Sequence, residues 1–320
     1  MWLQRILRPK NKAGFQPKSR KTQRKFGNIK LSSKAIRQLD RLQLSGNRIL
    51  RGASIGQRPG QRRKPASDFL DHRMYVPGDD IRYVDWRASA RHEQTFIRQG
   101  DLPKDNTVYL FLDCSGSMQW GEDPKSRAQL ELAAALGYLT LNNRDRLMIV
   151  PFGGKSNLPL GPISGKGQVT TLLDYLNKLN YGQTAGLFQV VKRLSGQTTR
   201  KGLVFILSDF LDLDSLSPIL ELLPAPFWLV NILHMLHPEE LHPPQFGNIE
   251  LVDSETGEAA NYDISRGAIK QYQEQLMKWQ ERLDLDCVEN HAFYTLFPTD
   301  WNLEREMIAH LRSTLIVNPI

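Results

Sequence analysis

Cysteine is nearly absent: Cys114 and Cys287 are the only two in 320 residues. Two thiols cannot build a disulfide framework, and the scarcity suits a reducing compartment. Long apolar runs are missing as well. No stretch of 18 apolar residues occurs, and "FWLVNILHML", one of the most apolar, is interrupted by Asn231 and His234, so no membrane-spanning helix is expected. The opening "MWLQRILRPKNKAGF" returns to charge too early for a signal peptide. Together these absences predict a cytoplasmic protein.

A third shortage is local. The first 64 residues hold 19 of the 42 Lys and Arg but a single acid, Asp40, which gives them a charge of +18 and leaves −10 for the rest. A basic arm on a mildly acidic body binds polyanions non-specifically, whether nucleic acid, an anionic membrane surface or an acidic protein face. A solvated tail is the plainer expectation. Trp2, Leu3, Ile6 and Leu7 lie at helical spacing among arginines, one turn able to touch the inner membrane face. Hydrophobic content of 40% and charged content of 24% are ordinary for a globular protein.

The chain divides into three by pattern. Residues 1–30 are basic and without periodicity, a flexible arm. Residues 31–102 begin with a helix from Ser32 or Ser33 that sets Ile36, Leu39, Leu42 and Leu44 on one side. A glycine- and arginine-rich stretch follows, then a β-rich block with a turn at Pro77–Gly78 and a short strand "QTFIR". Residues 103–320 alternate strands and helices: "TVYLFLD", "RLMIVPF", "GLVFILSD" and "FWLVNIL" as strands, with helices over 126–142, 169–179, 187–194 and "LDSLSPILELL" between or beside them. Near-continuous apolar strands belong to parallel sheets buried on both faces. The alternation therefore predicts an α/β fold with a doubly wound, mostly parallel sheet. A hairpin turning at Thr256–Gly257 and a helix with Ile269, Tyr272, Leu276, Trp279 and Leu283 on one stripe complete the chain.

Two enzymatic motifs are missing where they would be looked for. "DCSGSM" flanks Ser115 with Asp113 and Ser117 rather than the glycines of a nucleophile elbow. "GGKS" and "SGKG" imitate the end of a phosphate-binding loop but have Ile149 and Leu160 where its first glycine belongs. What "DCSGSM" does offer is oxygen. Extended chain points Asp113, Ser115 and Ser117 the same way, at the carboxyl edge of a strand, where open α/β sheets place their ligands. One carboxylate with hydroxyls and water suits octahedral Mg²⁺, with Mn²⁺ also admissible, whereas zinc would want His and Cys. Asp209, ending "LVFILSD", and Thr184 in "YGQTAG" would add donors from two further loops. Helix capping is the competing account of Ser115 and Asp209. It explains one residue per loop, not the doubled serines. His234, His237 and His242 match no zinc spacing, and the prolines around them predict a surface loop with satisfied or solvated histidines.

This constellation resembles the von Willebrand factor A-type fold and its metal-ion-dependent adhesion site, with Asp113, Ser115, Ser117, Thr184 and Asp209 each matching a position of that motif. From Ser45 to Asp209 and beyond, the chain is similar to the bacterial family called "domain of unknown function 58". The resemblance is carried by "RMYVPGDDIRYVDWRASAR", with Arg73, Tyr75, Pro77, Gly78, Asp79, Arg82, Asp85, Trp86 and Arg91. Those residues are expected to be structural, pairing arginine with acid and burying the tryptophan. Where relatives carry a glutamate-rich segment, this chain has "IRQGDLPKDN". The resemblance implies a non-enzymatic interaction module that binds an acidic partner residue through a Mg²⁺ site, with a MoxR-type AAA+ ATPase as partner and no small-molecule substrate. Polyanion binding through residues 1–64 is the alternative from a different class. Metal-assisted hydrolysis is a third, and it lacks a positioned general base.

Overall fold

The computed structural model describes residues 28–44, 106–121, 123–154, 157–182, 186–198, 202–243, 247–252, 259–264, 266–314 and 316–319, together with 7–8, 71–74, 89 and 95–99. The chain divides into two compact units, residues 51–105 and everything else.

In the larger unit, β1 (Leu7–Arg8) is a two-residue strand. α1 (Ser33–Leu39) starts where the Ser32 side chain accepts from the Ala35 N–H, satisfying a donor that the first turn leaves free. The helix ends earlier than its apolar spacing suggests. Leu42 and Leu44 lie instead in β2 (Leu42–Leu44), both buried, since alternate residues share one face of a strand but not of a helix. In the smaller unit, β3 (Asp71–Met74) and β4 (Phe96–Gln99) pair antiparallel. The strand expected at "QTFIR" is therefore present. Arg73 lies in β3; Tyr75, Pro77, Gly78, Asp79, Arg82, Asp85, Trp86 and Arg91 fall outside the described residues, as do most of the basic arm and the turn at Thr256–Gly257.

The middle of the central sheet is built from segments that have no polar face. β5 (Thr107–Asp113) is buried at every position. α2 (Lys125–Asn142) runs back along it, rich in Ala and Leu. β6 (Arg146–Phe152) lies parallel to β5, and β7 (Leu160–Ser164) turns back antiparallel at the sheet edge. α3 (Val169–Leu176) and α4 (Leu187–Gln197) lead to β8 (Gly202–Ser208), parallel to β5 on its other side. α5 (Ser217–Leu220) is a single turn where a longer helix is expected; Pro218 opens it and Pro224 follows soon after, and a proline breaks any helix that would pass through it. β9 (Leu229–Leu236) is buried throughout and parallel to β8. α6 (Pro238–Leu241), the antiparallel hairpin β10 (Gly247–Val252) and β11 (Ala259–Ile264), and α7 (Arg266–Glu289) follow. β1 joins β10. β12 (Phe293–Pro298) adds to β9 in parallel, α8 (Ile308–Ser313) comes next, and β13 (Val317–Pro319) pairs with β2.

The six strands run in the order β12-β9-β8-β5-β6-β7. This is the mostly parallel, doubly wound α/β sheet expected from the alternation of elements, with one antiparallel edge. Two apolar layers cover it. One packs α1, α2, α3 and α8 residues such as Leu39, Leu136, Leu172 and Leu311, and the other packs Val191, Ile219, Leu276, Trp279 and Leu283 from α4, α5 and α7. Among the described residues, no helix is long and apolar enough to cross a membrane.

The contact between β5 and β8 sets the geometry of everything at their carboxyl ends, and Gly202 makes it possible. A Cβ there would lie 2.0 Å from the Thr107 carbonyl oxygen. Gly202→Ala is expected to cost about 1–3 kcal/mol through forced strand displacement, read as a lowered Tm; an unchanged Tm would mean that the two strands part freely.

Candidate metal centre

β5 ends at Asp113 and the chain bends through Cys114 and Ser115 into a 3₁₀ turn, Gly116–Gln119. Backbone bonds fix this bend on two sides. Cys114 N donates to Phe152 O at the end of β6 (2.8 Å), and Gly182 N donates to Cys114 O (2.9 Å). Gly153 and Gly154 stand against it with positive φ; a Cβ on Gly154 would meet Asn180 O at 2.3 Å and Cys114 Cβ at 3.0 Å, so only glycine fits there.

Ser115 precedes the 3₁₀ turn but makes no side-chain capping bond. Its hydroxyl instead lies 2.9 Å from that of Ser117. The capping account therefore fails for Ser115. The two hydroxyls and the Asp113 carboxylate come from one loop and are all buried. Asp113 Oδ1 accepts from Ser115 N at 2.8 Å, and Oδ2 accepts from the Ser208 hydroxyl at the end of β8. Ser208 also accepts from Phe210 N. Phe210 adopts φ +51°, a left-handed conformation that is costly for a bulky residue. The bend that follows brings Asp209 to the same edge of the sheet.

Electrostatics mark Asp113. Burial, together with the neighbouring negative charge of Asp209, pushes its pKa up to about 7, although Ser208 and Ser115 hydrogen bonds pull the other way. Among the described residues, no Lys, Arg or His forms an ion pair with it. A fully buried carboxylate beside a second one, with hard hydroxyl oxygens next to it, is a setting in which a divalent cation relieves both the desolvation and the repulsion. Among the described residues, no three His, Cys, Asp or Glu side chains are placed to share one metal ion, so a resident ion would take much of its shell from hydroxyls and water, as Mg²⁺ does. Of the five residues expected to hold it, Asp113, Ser115, Ser117 and Asp209 are at this edge. Thr184 falls outside the described residues; Gly182, two positions before it, is bonded to Cys114.

Several participants are not legible as such in the sequence. Gln129, buried on α2, donates through Nε2 to Asp113 O and Leu207 O, both at 2.9 Å, while its Oε1 accepts from Tyr181 at 2.9 Å. One amide thus ties the ends of β5 and β8 to the 180–182 loop. Asp209 does not stand free. Its Oδ2 meets Lys125 Nζ at 2.6 Å, and the same ammonium reaches Glu240 Oε1 at 2.7 Å. Burial opposes the charge on Lys125, but Asp209 and Glu240 outweigh it and raise its pKa. His234 is also misplaced by a surface-loop expectation. It is fully buried on β9, with Nδ1 against Tyr294 Oη (2.6 Å), Nε2 against Asp209 O (3.1 Å), and Phe210 and Trp279 edge-on to its ring. Burial drives its pKa down to about 3, which keeps the imidazole neutral. His237 caps α6.

The family model described as "Protein of unknown function DUF58" matches residues 71–282, well over half of the chain. An uncharacterized protein of Mycobacterium tuberculosis is 27% identical over 222 residues, covering 68% of each chain. Among solved structures, the conserved hypothetical protein BatB from Bacteroides thetaiotaomicron aligns over 65% of this chain and 98% of its own, with 12% identity and a TM-score of 0.39. A von Willebrand factor type A structure from Catenulispora acidiphila aligns over 69% of this chain and 44% of its own, with 10% identity and a TM-score of 0.40.

Proposed function

This chain belongs to the DUF58 family, and we propose that it serves there as a divalent-cation-dependent protein-interaction module whose partner contributes an acidic side chain. The observation that carries this reading is Asp113, buried beside Asp209 with two serine hydroxyls at hand and no ion-paired cation among the described residues. Asp113, Ser115 and Ser117 would hold Mg²⁺ with Thr184 beside them, while Asp209, bonded to Lys125, stands behind. The ion would supply a concentrated positive charge that a single nearby carboxylate only partly neutralises, which draws an incoming Asp or Glu strongly in a partly dry site. The chain's own groups do the rest. Ser208 and the Ser115 N–H orient the Asp113 carboxylate, and Gln129 ties the ends of β5 and β8 together.

Among the described residues at this edge, no nucleophile, acid and base stand in a catalytic arrangement, and the reading adopted is interaction. The family resemblance implies a MoxR-type AAA+ ATPase as partner. Pull-down of that ATPase by the full chain is expected in Mg²⁺ and lost in EDTA, and lost in Asp113→Ala with Mg²⁺ present. Retention by a folded Asp113→Ala protein would end this reading.

A further inference from the structure

Lys125 occupies a place that is costly for a lysine. It is the first residue of α2, where the helix dipole disfavours a cation, and its side chain is 0% exposed. An ammonium taken out of water is tolerated only with well-placed counter-charges. Asp209 Oδ2 and Glu240 Oε1 provide them, at 2.6 and 2.7 Å. Glu240 is itself fixed, because its other oxygen accepts from His237 N at 2.7 Å and closes a capping box at α6. Asp113, Asp209 and Glu240 against Lys125 leave two formal negative charges in excess within one buried cluster, the charge that a single divalent cation neutralises.

The division of that charge is uneven. Lys125 faces Asp209 and Glu240, whereas among the described residues Asp113 is bonded to neutral donors of Ser115 and Ser208 and to no cation. We propose that Lys125 is a positioning residue for the metal site: by holding Asp209 Oδ2 it withholds that carboxylate from an ion bound at Asp113, Ser115 and Ser117, and keeps the ion receptive to an outside carboxylate. The inference rests on the metal reading above. A carboxylate already bonded to an ammonium offers less charge to a second cation. Binding of the ion is therefore weaker than the ligand set alone would give, and the unspent charge is directed at the partner.

The test is titration with Mn²⁺, followed by electron paramagnetic resonance, of the full chain and its variants. Lys125→Met together with Glu240→Gln removes the clamp while leaving no orphaned acid at position 240, and Gln retains the capping box. This pair variant is expected to bind Mn²⁺ at least about tenfold more tightly than wild type, within the usual range for changes just behind a metal's ligands. Adding Asp209→Asn should abolish that gain. In the wild-type background, Asp209→Asn should weaken binding less than Asp113→Asn does. A merely structural ion pair would leave Mn²⁺ affinity unmoved. Equal or weaker binding by the folded pair variant overturns the proposal, and so does an Asp209→Asn loss as large as that of Asp113→Asn; the latter comparison decides alone if the pair variant does not fold. Wild-type protein that binds no Mn²⁺ would end the metal reading and this inference with it, whereas wild-type binding without a gain in the pair variant ends only the role of Lys125.

Discussion

Lys125→Met alone should destabilise the metal-free protein by about 3–5 kcal/mol, the usual cost of leaving a buried charge without its partner. Two carboxylates share this one ammonium, Asp209 and Glu240, and both are buried. In a domain of this size the loss corresponds to a Tm lower by roughly 10 °C. The direction is decided by desolvation rather than by the strength of the ion pair. A buried pair often contributes little net stability compared with apolar residues of the same volume, yet removal of one member strands the other. Combining Lys125→Met with Glu240→Gln should therefore recover a large part of the lost Tm. Thermal melts in EDTA check both statements, and a single variant as stable as wild type would show that water reaches these carboxylates.

The pair also shows where reading the sequence stops. In "DPKSRAQLELAAALGYL" the lysine stands among charges at a helix start, a position indistinguishable from a solvent-facing first turn. Its partners lie 84 and 115 residues further along the chain, and nothing local announces them. The strands were legible for the opposite reason. β5, β8 and β9 are apolar on both faces because both faces are covered, so composition alone carries the pattern. Asp113, Ser115 and Ser117 were legible as oxygen donors crowded into one loop, although Ser117 meets Ser115 across a 3₁₀ turn rather than along the extended chain that a two-residue period assumes. His234 was not, since the prolines after it suggested a loop while β9 runs three residues beyond the expected "FWLVNIL" to Leu236. The pairing of β2 with β13 is equally silent: three residues at each end of the chain are too few for any periodicity. Local pattern is visible in proportion to its length, and charge burial is visible only once topology has brought distant residues together.

Asp113→Asn should abolish the response of the protein to metal and change its response to pH. With no metal bound, Asp113 titrates at about 7 instead of 3.8. Between those values the folded protein retains a proton that the unfolded chain has shed, so this group's contribution to stability falls as pH rises and is fully unfavourable above 7, by an amount on the order of 4 kcal/mol. His234 acts in the opposite sense. Its pKa is depressed from 6.5 to about 3, so stability falls as pH drops through that window, because the unfolded chain takes up a proton that the buried ring refuses. Across the shared interval the two slopes oppose one another, and the metal-free wild type should show a flat profile there. Asp113→Asn removes one slope, leaving a profile that climbs with pH up to about 6.5. At pH 8 in EDTA the variant should melt above wild type by roughly 10 °C, given the stability difference per degree of a domain this size. Saturating Mg²⁺ should then raise the wild type, since an ion that binds only the folded state stabilises it by mass action, and should leave the variant unmoved. Below pH 7 the ion must compete with the proton on Asp113, so the Mg²⁺-induced rise should shrink as pH falls. Denaturation curves of both proteins from pH 5 to 8, with and without Mg²⁺, decide the matter. A wild type that outlasts Asp113→Asn at pH 8 in EDTA would mean that this carboxylate is at ease without a cation, and the charge argument for the site would fall.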